Sequence, residues 1–130
     1  RAILRHVNPR LFAERGLASA YHDRAMVSDE VVDRYVDLAR APGHRALLSS
    51  DRNNRDDPPL RPEDFAGIAV ATLIVHGEDD RIIAVEDSRA LAAAIPHARL
   101  ITYPRIGHMP MEEAAGQSAA DLRAFLEGSR

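Results

Sequence analysis

The chain has 130 residues, a length usual for one domain, with 17 basic side chains against 20 acidic ones and a net charge of −3. Every basic residue is arginine and cysteine is absent, so these residues offer no Schiff-base or P-loop lysine, thiol nucleophile, disulfide or cysteine-type metal site. Arginines spread evenly along a slightly acidic chain are not the footprint of a nucleic-acid binder, and the strongest apolar run, Ile68 to Val75, is far short of the roughly 20 residues a membrane helix needs.

The first fifty residues read as helical. Asn8-Pro9 opens a first helix, with Leu11, Phe12 and Leu17 as its expected buried residues. Ser28 followed by Asp29 and Glu30 marks a second start, because the hydroxyl can cap orphan N–H groups and the acids suit the positive end of the helix dipole. Val31, Val32, Tyr35, Leu38 and Ala39 then recur at three- and four-residue spacing, which predicts one buried face, and Ala41-Pro42-Gly43 ends it. A short apolar segment follows at Ala46-Leu47-Leu48. Residues 51–63 are charged, Asn- and Pro-rich and have almost nothing to bury, so they read as a linker.

From residue 64 the pattern changes. Ile68 to His76, closed by Gly77, predicts a strand covered on both faces in a parallel sheet. After the turn Glu78-Asp79-Asp80, a helix is expected over residues 85–95, stopped by Pro96. Ala98 to Tyr103 is a second strand ended by Pro104, and a last helix over about residues 116–127 should bury Leu122, Phe125 and Leu126. Strand, helix, strand makes a βαβ unit, so both strands run parallel and their following loops leave the same carboxyl edge, where open α/β sheets keep their sites. One loop carries Asp80 and the other His108. A carboxylate on one ring nitrogen of a histidine fixes its tautomer and stabilises its protonated form, so the two are a candidate acid–base pair, and Gly107 is expected to let the second loop bend sharply.

The stretch Thr72-Leu73-Ile74-Val75-His76-Gly77-Glu78-Asp79-Asp80-Arg81-Ile82-Ile83, followed by Arg105-Ile106-Gly107-His108-Met109-Pro110-Met111-Glu112-Glu113, resembles the C-terminal part of the α/β-hydrolase superfamily. The resemblance implies that Asp80 is the triad acid and His108 the triad base. It also implies an α/β architecture in which residues 1–50 form a helical cap, 51–63 a linker and 64–130 the C-terminal part of the hydrolase sheet. Ala71 and Ala84 stand where members often have proline, and Ala115-Gly116 where the last helix often opens with one. None of the serines is framed as Gly-x-Ser-x-Gly, so the nucleophile is expected from a missing N-terminal segment.

The implied activity is hydrolysis of small ester or related acyl substrates, with this chain giving acid and base. Alternative chemistries in the same scaffold are carbon–carbon bond hydrolysis, epoxide opening and dehalogenation; the competing class is a non-catalytic fragment or binding module. A small-molecule substrate, a cytoplasmic location, and no metal, organic cofactor, nucleic-acid or membrane partner are expected. Tyr21, Tyr35, Met26 and Met109 are candidates for substrate contact, against simple packing. Asp79 reads as a turn former, His76 as the end of its strand, and Glu112 and Glu113 as tethers of the His108 loop. His6, His22, His44, His97 and Arg81 read as surface residues.

Overall fold

The computed structural model describes residues 8–42 and 61–128; Ala46 to Leu48, most of the 51–63 stretch, His6 and His44 lie outside the described residues. These residues divide into two compact units, one of residues 8–18 and 27–42, the other of residues 19–26 and 61–128.

Helix α1 runs Pro9–Ala20, a short 3-10 turn covers Arg24–Met26, and helix α2 runs Asp29–Arg40. Both helices start at side-chain caps: Asn8 Oδ1 accepts from the Arg10 amide at 3.0 Å and Ser28 Oγ from the Val31 amide at 3.3 Å. In the first unit, the Arg10 guanidinium joins Glu14 on its own helix to Asp29 and Asp33 on α2. Leu17, Val32 and Val36 are its buried residues. Leu38, expected inside, is exposed because it sits about 200° round the helix from Val36, at about 100° per residue. The same geometry corrects α1: Leu11 and Phe12 lie about 120–140° round the helix from Leu17, and Phe12 is 66% exposed.

In the second unit a 3-10 turn at Pro62–Phe65 leads to strand β1, Thr72–Gly77, then helix α3, Val85–Ala94, and strand β2, Ala98–Tyr103. A one-turn helix α4, Pro110–Glu113, and helix α5, Ala115–Gly128, complete it. β1 and β2 pair in parallel, in register from Thr72 with Ala98 to Gly77 with Tyr103. Helix α3 crosses between them and packs on both strands and on the Pro62–Phe65 turn. The expected βαβ unit is therefore present. The first strand is shorter than expected and its faces are only half-buried. Residues 68–71 stay outside it because β2 begins at Ala98, opposite Thr72, and Val70 is 70% exposed.

Helix α5 is also drier in its sequence than in its setting: Leu122 and Leu126 are exposed and only Phe125 is half-buried, so the expected burial of all three is corrected. An apolar stripe states which face seeks cover, and among the described residues that face of α5 is not covered. What anchors α5 is a polar contact. The Tyr103 hydroxyl, on a side chain almost wholly buried at the end of β2, donates to Asp121 Oδ2 at 2.7 Å.

Burial, then the hydrogen bond and negative charge of Asp121, push the Tyr103 phenol up from 10.0 to about 12. The folded chain thus holds a proton that the unfolded chain releases first, so this contribution to stability is intact below pH 10 and is lost as pH rises towards 12. We expect tyrosinate absorbance to show one of the three tyrosines ionising late, with stability to urea falling over that same window. Tyr103→Phe should abolish both effects; an unchanged alkaline loss in that variant would refute the assignment.

Candidate active site

The two loops at the carboxyl edge are held together by main chain. Beyond the last strand pair, the Glu78 amide donates to Tyr103 O at 2.9 Å and the Asp79 amide to Ile106 O at 2.9 Å. The backbones approach so closely that a Cβ on Gly77 would lie 2.0 Å from Gly107 O and 2.3 Å from Ile106 O. Gly107 is equally confined, with Ala20 O 2.3 Å from its would-be Cβ. Its role is thus space rather than the sharp bend expected of it, since its φ lies outside the left-handed region; the left-handed residue of this loop is Arg105, at φ 59°.

Across this contact Asp80 and His108 meet. Asp80 Oδ2 lies 2.8 Å from His108 Nδ1, while Oδ1 accepts from the amides of Ile82 at 2.7 Å and Ile83 at 3.1 Å. The Asp80 side chain is 3% exposed. Burial pushes its carboxyl up, but the hydrogen bond from His108, the two amides and the nearby imidazole outweigh it and hold the carboxyl below its ordinary range. It therefore stays ionised at neutral pH and can only accept, so Nδ1 of His108 carries a hydrogen and Nε2 of the neutral ring has its lone pair free. Among the described residues nothing hydrogen-bonds that Nε2. The His108 side chain is 34% exposed, and its amide is pinned at 2.6 Å on Ala20 O.

Glu113 fixes this loop from behind. Its Oε1 accepts from the Gly107 amide at 2.8 Å, and its Oε2 from the amides of His22 at 2.7 Å and Asp23 at 3.3 Å. Beside it, the Tyr21 hydroxyl donates to Glu112 Oε2 at 2.6 Å. A cavity of about 330 Å³ opens next to the pair, bounded by Val75, Ile83, Leu91 and Met111 with His76 and His108. An acid-oriented base beside an apolar hollow suits proton transfer on a small organic substrate. Among the described residues no three His, Asp or Glu side chains are gathered as a metal ion requires.

The model of the "Alpha/beta hydrolase family" matches residues 1–122. The chain belongs to that family. As an alpha/beta hydrolase it is 33% identical over 110 residues to 2-hydroxymuconate semialdehyde hydrolase of Pseudomonas putida, covering 81% of this chain and 39% of that protein. It is 34% identical over 73 residues to Lipase 3 of a Moraxella species, covering 56% of the chain and 23% of the relative. Among solved structures, a meta-cleavage product hydrolase from Pseudomonas fluorescens superposes with a TM-score of 0.79 at 22% identity, over 99% of this chain and 49% of that one. This hydrolase chain thus spans about two-fifths of the first relative's length and half of the solved chain. No helix among its described residues is long and apolar enough to cross a membrane.

Of the other candidates, Tyr21 is buried in the second unit with its hydroxyl on Glu112, and Met26 is exposed on the 3-10 turn. Tyr35 is half-buried on α2 in the first unit. Met109 precedes α4, and Met111, not Met109, borders the cavity. His22 Nδ1 lies 3.0 Å from Asp79 Oδ2 without hydrogen-bond alignment, so Asp79 faces a histidine as well as forming the turn. His76 is the residue whose place the sequence underrates. It is buried beside Asp80, and the signal was a polar ring inside an apolar strand, which must find partners.

Because backbone atoms cannot yield as a flexible side chain can, Gly77→Ala should cost about 3 kcal/mol or more in urea unfolding. Gly16→Ala, on open helix α1, should instead gain about 0.5–1 kcal/mol. Equal stabilities for the two variants would show that the loops are not in the contact described.

Proposed function

We propose that this chain supplies the acid and base of a nucleophile–histidine–acid hydrolase, with the nucleophile on a segment outside these 130 residues. The observation that carries the reading is the 2.8 Å bond from His108 Nδ1 to a buried Asp80 whose other oxygen is already saturated by main chain. In this scheme His108 Nε2 removes the proton from the nucleophile as it attacks the substrate carbonyl. The same proton then passes to the leaving group. In the second half, Nε2 takes a proton from water, which releases the acid product and restores the nucleophile. Asp80 holds the ring throughout and stabilises its transient positive charge. In this reading residues 1–50 are the helical cap region and residues 64–130 part of the hydrolase sheet.

Small esters are the first substrate class, in keeping with the likeness to Lipase 3. Carbon–carbon bond hydrolysis is the second reading, favoured by the 33% identity to 2-hydroxymuconate semialdehyde hydrolase. Both use the same acid and base. In the complete protein, His108→Ala should lower hydrolysis of short p-nitrophenyl esters by about 10⁴-fold or more, with 2-hydroxymuconate semialdehyde assayed alongside to separate the two substrate classes. Retention of the wild-type rate by His108→Ala on both substrates would end the proposal.

A further inference from the structure

We propose that His76, braced by Ser88, is a positioning residue that locks Asp80 in the orientation His108 requires; the inference rests on the acid–base reading above. His76 sits in β1, four residues before Asp80, and is buried. Burying an imidazole in an apolar strand is costly unless both nitrogens are partnered. Here both are. Nε2 lies 3.2 Å from Ile83 O, and Nδ1 lies 2.7 Å from Ser88 Oγ on α3. A carbonyl can only accept, so Nε2 carries the hydrogen, and in the neutral ring the Ser88 hydroxyl donates to Nδ1. The tautomer is therefore set by its neighbours.

Two consequences converge on Asp80. His76 Nε2 is also 3.5 Å from Asp80 Oδ2, the oxygen that receives His108, a close approach without hydrogen-bond geometry. And Ile83, whose carbonyl His76 holds, donates its own amide to Asp80 Oδ1. His76 thus borders one carboxylate oxygen and bonds the turn of residues 80–83 that serves the other. An apolar residue of similar size would fill the space without that bond. The chain from Ser88 through His76 and Asp80 to His108 fixes the last ring by fixing the carboxylate it leans on.

Glutamine and asparagine separate the two halves of the imidazole. His76→Gln can place an N–H near the Nε2 position and keep the bond to Ile83 O, whereas His76→Asn can keep only an acceptor for Ser88. The readouts are the downfield proton NMR resonance of the His108 Nδ1–H in the purified full chain, and kcat and KM of the complete protein on a p-nitrophenyl ester. We expect His76→Asn to lose the resonance and lower kcat on the order of tenfold to a hundredfold with KM unchanged, while His76→Gln keeps the resonance and most of kcat. Ser88→Ala, which removes one half-buried hydroxyl, should mix the His76 tautomers seen in nitrogen shifts and broaden the His108 resonance; it decides the matter if His76→Asn does not fold. An unchanged His108 resonance in both His76→Asn and Ser88→Ala, or equal losses in the Gln and Asn variants, overturns the proposal. If the resonances respond as expected but the wild-type protein hydrolyses neither ester nor semialdehyde, the positioning role stands and the functional reading falls.

Discussion

The close approach of Gly77 to the Ile106–Gly107 peptide is the contact on which the site depends. Parallel pairing of β1 with β2 ends at Gly77 and Tyr103, and two further amide bonds, from Glu78 and Asp79, carry the ladder past the strands into the loops. With no Cβ in the way, the two loops lie back to back. Asp80 and His108 then need no long reach: each leaves its loop one to three residues beyond a main-chain contact. Rigid placement of this kind is what an acid–base pair requires, since small displacements of a proton-transferring group are costly.

Electrostatics then decide the state of the pair. A carboxylate in a nearly dry position would ordinarily take up a proton, and Asp80 does not because three N–H groups donate to it: two amides and His108. No arginine is among the groups that hold this charge.

Much of this was legible in the amino-acid sequence. Ser28-Asp29-Glu30 announced α2, Pro96 and Pro104 bracketed β2, and the Gly-x-x-Asp and Gly-His words placed the pair on one sheet edge. Apolar periodicity was less informative about burial, as Leu122, Leu126 and Phe12 show, because it reports a face and not the presence of a partner. The supporting polar groups were harder still. Glu113 was legible as a tether of the His108 loop and does hold the Gly107 amide, but nothing in the order of residues announces its other bonds, to the amides of residues 22 and 23. Gly107 was legible as necessary but for the wrong cause, conformation in place of room.

Glu112 and Glu113 also bear on the order in which the molecule can assemble. Their bonds to Tyr21 and His22 close loops of 91 residues, far longer than the crossover that joins β1 to β2. Closing a longer loop costs more chain entropy, and contacts of high sequence separation slow folding. The βαβ unit draws on residues close in sequence, whereas the brace behind His108 needs residues 21–22 to meet residues 112–113. Placement of the His108 loop is thus tied to contacts far more distant in sequence than the pairing of the two strands.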